Sequence, residues 1–209
     1  ASLGIDTSDG RDFYPMSGRK GIEIKADDLI NTAMARMKEA KPDLPDETAA
    51  TLAASAIRYF MIRYNLQQAI TLDIDEALRP NGDTGVYLQY AYARANSILR
   101  KLQQTGYDLP ETLPALPDQL EQSEWELLRL VDAYPRALAE ASADLLPNVL
   151  AAYVYDLAGH FSDFYEHTPP IVKETDEGVK AFRALLVRAV MQTMDNALRI
   201  LGFVPLEQI

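Results

Sequence analysis

EGVKAFRALLVRAVMQTMDNALRIL, residues 177–201, carries apolar side chains at the spacing of an α-helix. Positions three and four residues apart lie on one side of a helix, so the stretch predicts a long amphipathic helix with one buried face. Gly202 follows it and is typical of a residue that ends a helix. We expect the buried stripe to contain Val179, Phe182, Leu186, Ala189, Val190, Thr193, Ala197 and Leu201.

The rest of the chain shows the same helical pattern between breaks made by proline and glycine. The sequence therefore predicts an all-α fold, a bundle of five or six long helices. A short loop and strand, with the strand at residues 22–25, form an appendage at the N-terminal end. The helices expected before the last one cover residues 27–40, 47–69, 86–104, 121–133, a segment that begins near Pro135, and 147–167.

Aspartates mark several of the expected helix starts, because their side-chain oxygens accept hydrogen bonds from free backbone N–H groups. Asp27 or Asp28 is expected to cap the first helix and Asp46 the second. Asp75 is expected to cap a short segment within residues 70–76. Capping explains the neighbouring carboxylates better than metal binding does.

Composition narrows the class of protein. The chain has 209 residues, and 48% of them are apolar, which suits one large domain or one domain with an appendage. No run of 18 uncharged apolar residues and no signal peptide is present, so we expect no membrane span. Cysteine is absent, which is compatible with the cytosol. We expect a cytoplasmic monomer.

Charge is unevenly distributed along the chain. The net charge of -11 argues against a strongly basic surface for nucleic acid. Residues 85–106 nevertheless contain no acid, while Arg94, Arg100 and Lys101 lie within them. The segment is either a local basic face for RNA or ordinary solvated surface, and the sequence leaves both interpretations open.

Tyrosine occurs eleven times, and three tyrosines lie in the acid-free segment. Tyr87 and Tyr90 share a helix face, and Arg94 follows Tyr90 by four residues. Aromatic rings beside arginine suit stacking on unpaired bases. Packing in the protein core is the competing explanation for each ring.

The sequence predicts no catalytic residue and no metal ligand in this chain. Only two histidines occur, and no G-x-S-x-G motif is present. His160 has Asp156 and Asp163 nearby on a helix, which indicates a surface contact.

Four segments occur together in an order that points to one family. They are MSGRKG at 16–21, AIRYF at 56–60, LQYAYAR at 88–94 and DNALRILG at 195–202. As a group they resemble the C-terminal part of class I arginyl-tRNA synthetases. The first is similar to the family's KMSKS-type loop, and the last is similar to its D-A-L-R segment, with Asn196 inserted.

The resemblance implies the anticodon-binding portion of an arginine–tRNA ligase, whose full-length form attaches arginine to tRNA(Arg) with ATP and Mg²⁺. It divides the chain into a KMSKS-like loop with a connecting helix at 1–45 and an all-helical DALR-type domain at 46–209. The implied partners are the anticodon stem-loop and the enzyme's own N-terminal catalytic domain. No HIGH-type sequence of a Rossmann half is present, so we expect this chain alone to be inactive and to bind neither ATP nor Mg²⁺.

The resemblance also implies which residues bind ligands. In the KMSKS-like loop, Ser17, Arg19 and Lys20 would contact ATP phosphates, although Pro15 and Gly18 stand where the family has lysines. The residues expected to face the anticodon are Tyr87, Gln89, Tyr90, Arg94, Tyr165 and Ile209.

Within this anticodon set, Tyr165 would stack on a splayed base and Ile209 would offer an apolar contact. Arg199, in the D-A-L-R segment, is expected to brace helices. Two alternatives remain: a free-standing RNA-binding module, and a helical protein-interaction domain, which the net charge would suit.

Overall fold

The computed structural model describes residues 24–112 and 116–209, and every regular element within these ranges is a helix. The all-α prediction is therefore confirmed. Of the expected strand, residues 22 and 23 lie outside the described ranges, and Ile24 and Lys25 have no regular structure. None of the described helices is long and apolar enough to cross a lipid bilayer.

Seven α-helices and one 3₁₀ helix make up the described residues. They are α1 (Ala26–Ala40), α2 (Asp46–Ile62), α3 (Ile74–Ala77), α4 (Gly85–Gln104), α5 (Gln122–Ala143), α6 (Pro147–His167), the 3₁₀ helix Ile171–Lys173, and α7 (Glu177–Ile200).

The chain forms two compact units, Ala1–Val86 and Tyr87–Ile209. The boundary lies in the first turn of α4. This boundary separates two groups of residues that pack mainly among themselves. The boundary between residues 45 and 46, which the family resemblance implies between the KMSKS-like part and the DALR-type domain, stays a prediction.

The first unit is built on the contact between α1 and α2. Ala33, Ala53 and Ile74 form its buried cluster, and the predicted apolar face of α1 packs against them. That face contains Leu29, Ile30, Met34 and Met37.

The expected caps in this unit are wrong. Asp27 and Asp28 lie in the first turn of α1 rather than before it, and Asp46 is the first residue of α2. Their charges still favour the positive end of each helix dipole. Asp73, not Asp75, caps α3, because its carboxylate accepts hydrogen bonds from two backbone N–H groups.

The second helix ends at Ile62, seven residues before the predicted end. Arg63 follows the helix, and its guanidinium lies over the rings of Phe60 and Tyr64, 4.4 and 4.8 Å from their centroids. It also donates to Glu76 Oε1 and to the Asp83 carbonyl oxygen, both at 2.6 Å. Burial lowers the pKa of Arg63, but the bonds to Glu76 and Tyr64 outweigh it and leave that pKa raised.

In the second unit, α5, α6 and α7 pack against one another. The expected break near Pro135 is wrong, because α5 runs through it. Proline removes one helical hydrogen bond, and here Pro135 is exposed within a helix that continues on both sides of it.

The bounds of α6 and α7 match the prediction closely. On α7, six of the eight predicted stripe residues are buried, and Val179 and Ala189 are half-buried. Asp176 caps the start of α7, and Gly202, with φ of 81°, closes its end. The prediction missed six buried positions: Ala181, Arg183, Ala184, Val187, Met194 and Leu198.

Candidate nucleic-acid interface

Four of the six predicted anticodon-facing residues lie on α4, but on two sides of it. Tyr87 and Arg94 are seven residues apart, so they share one side. Gln89 is five residues before Arg94, which places it about 140° around the helix axis. Tyr90 is half-buried and precedes Arg94 by four residues, so it flanks the Arg94 side.

Tyr87 packs between α4 and α6. Its hydroxyl group is 3.0 Å from Ser162 Oγ and 3.3 Å from the Ala158 carbonyl oxygen. Its ring meets that of Tyr155 edge to face, with the centroids 5.7 Å apart. These contacts hold α6 beside α4, which favours the packing explanation for this tyrosine.

Arg94 and Tyr165 come together on the same side. The Arg94 guanidinium carbon lies 4.7 Å from the centroid of the Tyr165 ring. Tyr165 is 42% exposed, so its side chain is accessible from solvent. The pair thus forms a fixed aromatic platform that is open to solvent.

A cavity of about 430 Å³ adjoins this platform. Tyr165 and Phe164 from α6, Ile98 and Lys101 from α4, and the turn around Pro169 line it. Tyr165 lines the cavity and Arg94 does not. The volume suits a small organic group with an apolar face.

Gln89 lies on the other side of α4 and has no exposed surface. Its Nε2 donates to the Val204 carbonyl oxygen at 2.9 Å, and its Oε1 accepts from Leu206 N–H at 2.8 Å. Ile209, which follows on the same segment, is half-buried. In this structure Gln89 binds protein backbone and is shielded from any RNA.

The basic residues of α4 and α7 differ in their partners. On α7, Lys180, Arg183 and Arg199 each have a carboxylate within ion-pair distance. In the described ranges, no carboxylate lies within that distance of Arg100 or Lys101 on α4. Arg188 on α7 likewise has no carboxylate within that distance in the described ranges and donates to the Glu111 carbonyl oxygen at 3.3 Å, so both helices carry a cation without a carboxylate partner.

Arg199 pairs with Asp195 one turn earlier on its own helix, at 2.7 Å. Asp195 also accepts a hydrogen bond from the Tyr92 hydroxyl at 3.3 Å. The link from α7 to α4 is therefore made by Asp195, with Arg199 beside it. Burial, followed by the Asp195 carboxylate, raises the pKa of Tyr92.

The histidines behave as surface residues. His160 Nδ1 lies 3.4 Å from Asp156 Oδ1 and 3.0 Å from the Asp156 carbonyl oxygen. Among the residues that the structure describes, no group of three or more His, Asp or Glu side chains could hold a metal ion. Ser17, Arg19 and Lys20 lie outside the described ranges.

Comparison with known proteins identifies the fold around this platform. The family model of the DALR anticodon binding domain matches residues 88–209, more than half of the chain. The chain belongs to the DALR anticodon-binding domain family. In this DALR domain, the Arg94–Tyr165 platform, the buried Gln89 and the D-A-L-R segment all lie within the matched residues.

Individual relatives extend the similarity of the DALR domain toward the N-terminal end. An arginine–tRNA ligase from Bacteroides thetaiotaomicron is 32% identical over 90% of this chain. The one from Thermococcus kodakarensis is 35% identical over 89%. The structure is similar to that of Thermus thermophilus arginyl-tRNA synthetase, with a TM-score of 0.78, 32% identity and 93% of this chain covered.

The chain spans about a third of the length of these relatives: 33% and 31% of the two ligases, and 33% of the solved structure.

Sequence reasoning missed Ile98, Lys101 and the Pro169–Pro170 turn as the surroundings of Tyr165. Lys101 was visible as a cation in an acid-free stretch. Nothing local indicated that the turn after α6 would face it.

Proposed function

We propose that this chain binds the anticodon arm of tRNA(Arg) as part of a cytoplasmic arginine–tRNA ligase. The whole protein would attach arginine to the tRNA with ATP and Mg²⁺, using a catalytic domain as partner. Ser17, Arg19 and Lys20 remain the proposed ATP-phosphate residues. We keep a monomer as the expected state.

The Arg94–Tyr165 platform is the observation that carries this proposal. An exposed ring that is held by a cation on one side can stack an unpaired base without first being ordered. The adjoining cavity offers apolar walls for that base, and Lys101 at its edge can meet the phosphate.

The other predicted residues have supporting parts in this proposal. Tyr87 holds α6, and therefore Tyr165, at its distance from α4. Tyr90 flanks the Arg94 side, where it can touch the RNA strand. Gln89 and Ile209 contribute from the opposite side of α4, through the C-terminal segment.

The first test removes the stacking ring. In Tyr165→Ala, binding of a tRNA(Arg) anticodon hairpin should weaken by about 1–3 kcal/mol, because one base loses its stacking partner. Fluorescence anisotropy of a labelled hairpin measures this. Trp125→Ala is the matched control, since Trp125 is also exposed, at 57%, but lies on α5. Equal losses in both variants, or no loss in either, would contradict the proposal.

The second test uses salt. Each phosphate contact adds nearly one unit to the slope of log affinity against log salt concentration. Arg100→Ala and Lys101→Ala should each reduce that slope by about one and weaken all RNA sequences alike. Arg199→Ala, whose guanidinium is already paired with Asp195, should leave the slope unchanged.

If the chain is instead a helical protein-interaction domain, it should show no specific binding to the anticodon hairpin. Hairpin binding would then be absent or independent of both anticodon sequence and salt. Such a result would reject the tRNA proposal in favour of that alternative.

A further inference from the structure

We infer that Gln89 is a positioning residue for RNA binding, which fixes the segment of residues 203–209 beside α4. The inference rests on the proposed function, because it concerns how that binding site is assembled. It replaces direct contact of Gln89 with the anticodon by an indirect role.

The Gln89 side chain acts like the backbone of a neighbouring strand. It bonds the Val204 carbonyl oxygen and the Leu206 N–H, two backbone groups on either side of Pro205. A paired strand uses the same donor and acceptor pattern. One buried amide therefore sets both the position and the register of this segment.

Asn96 adds a third hydrogen bond between α4 and the segment of residues 203–209. It follows Gln89 by seven residues and so lies on the same side of α4. Its Nδ2 donates to the Glu207 carbonyl oxygen at 3.1 Å. Together the two amides bond three backbone groups within residues 204–207.

Burial of alternate side chains shows that the segment packs against the rest of the unit. Phe203 is 5% exposed and Pro205 is buried, whereas Val204 between them is 64% exposed. The chain enters this segment through Gly202, and Phe203 N–H bonds the Leu198 carbonyl oxygen at 2.9 Å. The segment is anchored at its start by α7 and along its length by α4.

A glutamine is a costly way to fill the core, since a buried amide must find partners for both of its ends. An apolar side chain of equal size would fill the same space but could not fix the register of the segment. The amide therefore adds specificity of position, which apolar packing alone does not give.

The held segment forms one wall of a groove of about 460 Å³ beside α4. Glu207 and Gln208 contribute from the segment, and Asn96, Arg100 and Gln103 contribute from α4. Arg100 is one of the cations without a carboxylate partner in the described part of the chain. Without the Gln89 and Asn96 hydrogen bonds, the segment and Ile209 would move away from Arg100, which we propose contacts RNA.

Amide hydrogen exchange tests, without RNA, whether Gln89 fixes the segment of residues 203–209. In Gln89→Met of the whole 209-residue chain, the Leu206 N–H loses its acceptor, so its exchange should accelerate about tenfold or more. Amides in the middle of α6 should keep their protection, which shows that the fold persists. An unchanged Leu206 amide would overturn the positioning role.

Hairpin binding then tests whether the hold matters for RNA. Gln89→Met should weaken anticodon hairpin binding about three- to tenfold, as expected for one hydrogen-bonded group acting indirectly. Deletion of residues 204–209, which removes both backbone groups that Gln89 bonds, should weaken it similarly. In the deleted chain, Gln89→Met should have no further effect, because the segment through which it acts is already lost.

Two results separate the possible failures. If Gln89→Met weakens hairpin binding in the deleted chain as much as in the whole chain, Gln89 acts elsewhere and the inference is overturned. A wild-type chain that binds no hairpin would contradict the proposed function, together with the RNA part of this inference. If Gln89→Met does not fold, Asn96→Ala provides the same comparison, with acceleration expected at residues 206–209 and an unchanged segment contradicting the inference.

Discussion

Gly85 and Gly159 are both helical residues, yet they lie in opposite surroundings. A Cβ atom on Gly85 would lie 2.2 Å from the Ser55 carbonyl oxygen and 2.9 Å from Tyr59 Cβ. A Cβ atom on Gly159 would meet nothing within 4 Å. Close approach of α4's first residue to α2 therefore requires glycine at position 85, whereas position 159 tolerates a side chain.

The two Gly→Ala substitutions should consequently have opposite effects. Gly85→Ala should lower the free energy of unfolding by about 1–3 kcal/mol, because a rigid backbone oxygen must move. Gly159→Ala should raise it by about 0.5–1 kcal/mol through better helix propensity. Urea unfolding followed by circular dichroism measures both. A stabilising Gly85→Ala would show that the contact with Ser55 relaxes freely.

At the scale of elements, one buried ion pair joins three parts of the second unit. Arg183 on α7 donates from Nε to Glu124 Oε1 at 2.6 Å and from Nη1 to Glu174 Oε2 at 3.0 Å. Glu124 is 2% exposed and also accepts a hydrogen bond from Glu121 N–H, which closes the start of α5. The start of α5, the turn before α7 and α7 itself thus share one charge network.

Glu124→Gln should be strongly destabilising. It removes the carboxylate charge and leaves Arg183 partly buried with Glu174 alone, so the expected cost is about 3–5 kcal/mol. The midpoint of urea unfolding at neutral pH measures it. Glu126→Gln is the control, because Glu126 pairs with Arg129 at the surface, and it should change the midpoint little. Equal effects of the two variants would show that burial of the pair does not matter.

Elements also differ in how far local sequence fixed them. Pro147 and the Thr168-Pro-Pro run bound α6 as predicted, because proline acts within one turn of its position. Pro135 misled the prediction, because an exposed proline can sit inside a helix whose other residues are held by packing. Local breakers therefore predicted ends reliably only where no tertiary contact carried the helix onward.

At the scale of the whole molecule, the response to alkaline pH depends on partly buried tyrosines. Burial raises the pKa of Tyr92, Tyr107, Tyr134 and Tyr153 above the usual value of 10.0. The folded state therefore retains these protons at a pH where the unfolded chain has lost them. That contribution to stability is complete below about pH 10 and is lost as the pH rises through the folded-state values.

Stability should thus fall as the pH rises above about 10, apart from the effects of lysine titration. Tyr153 shows the largest rise, and its hydroxyl donates to the Leu130 carbonyl oxygen at 2.7 Å. Tyr153→Phe should cost about 1 kcal/mol at pH 8 through that lost bond. It should also flatten the decline above pH 10, as measured by urea midpoints at several pH values. An equally steep decline in this variant would assign the alkaline loss to other groups.

The whole molecule also shows how much of the candidate interface the sequence could predict. The acid-free stretch and its tyrosines located α4, and the resemblance selected Arg94 and Tyr165, which do meet. Gln89 was placed on the same interface by its motif. The structure instead buries it, because its partners Val204 and Leu206 lie more than 100 residues further along the chain.

The sequence by itself determined the all-α class, the ends of α4, α6 and α7, and the family of the DALR domain. Each follows from signals that act within a few residues: helical periodicity, a proline at a helix start, or a glycine with positive φ at positions 106 and 202. Only the tertiary structure decided that Arg94 meets Tyr165 and that the Gln89 amide bonds the C-terminal segment. Those outcomes depend on contacts between distant residues, whose hydrogen bonds form only after the helices have packed.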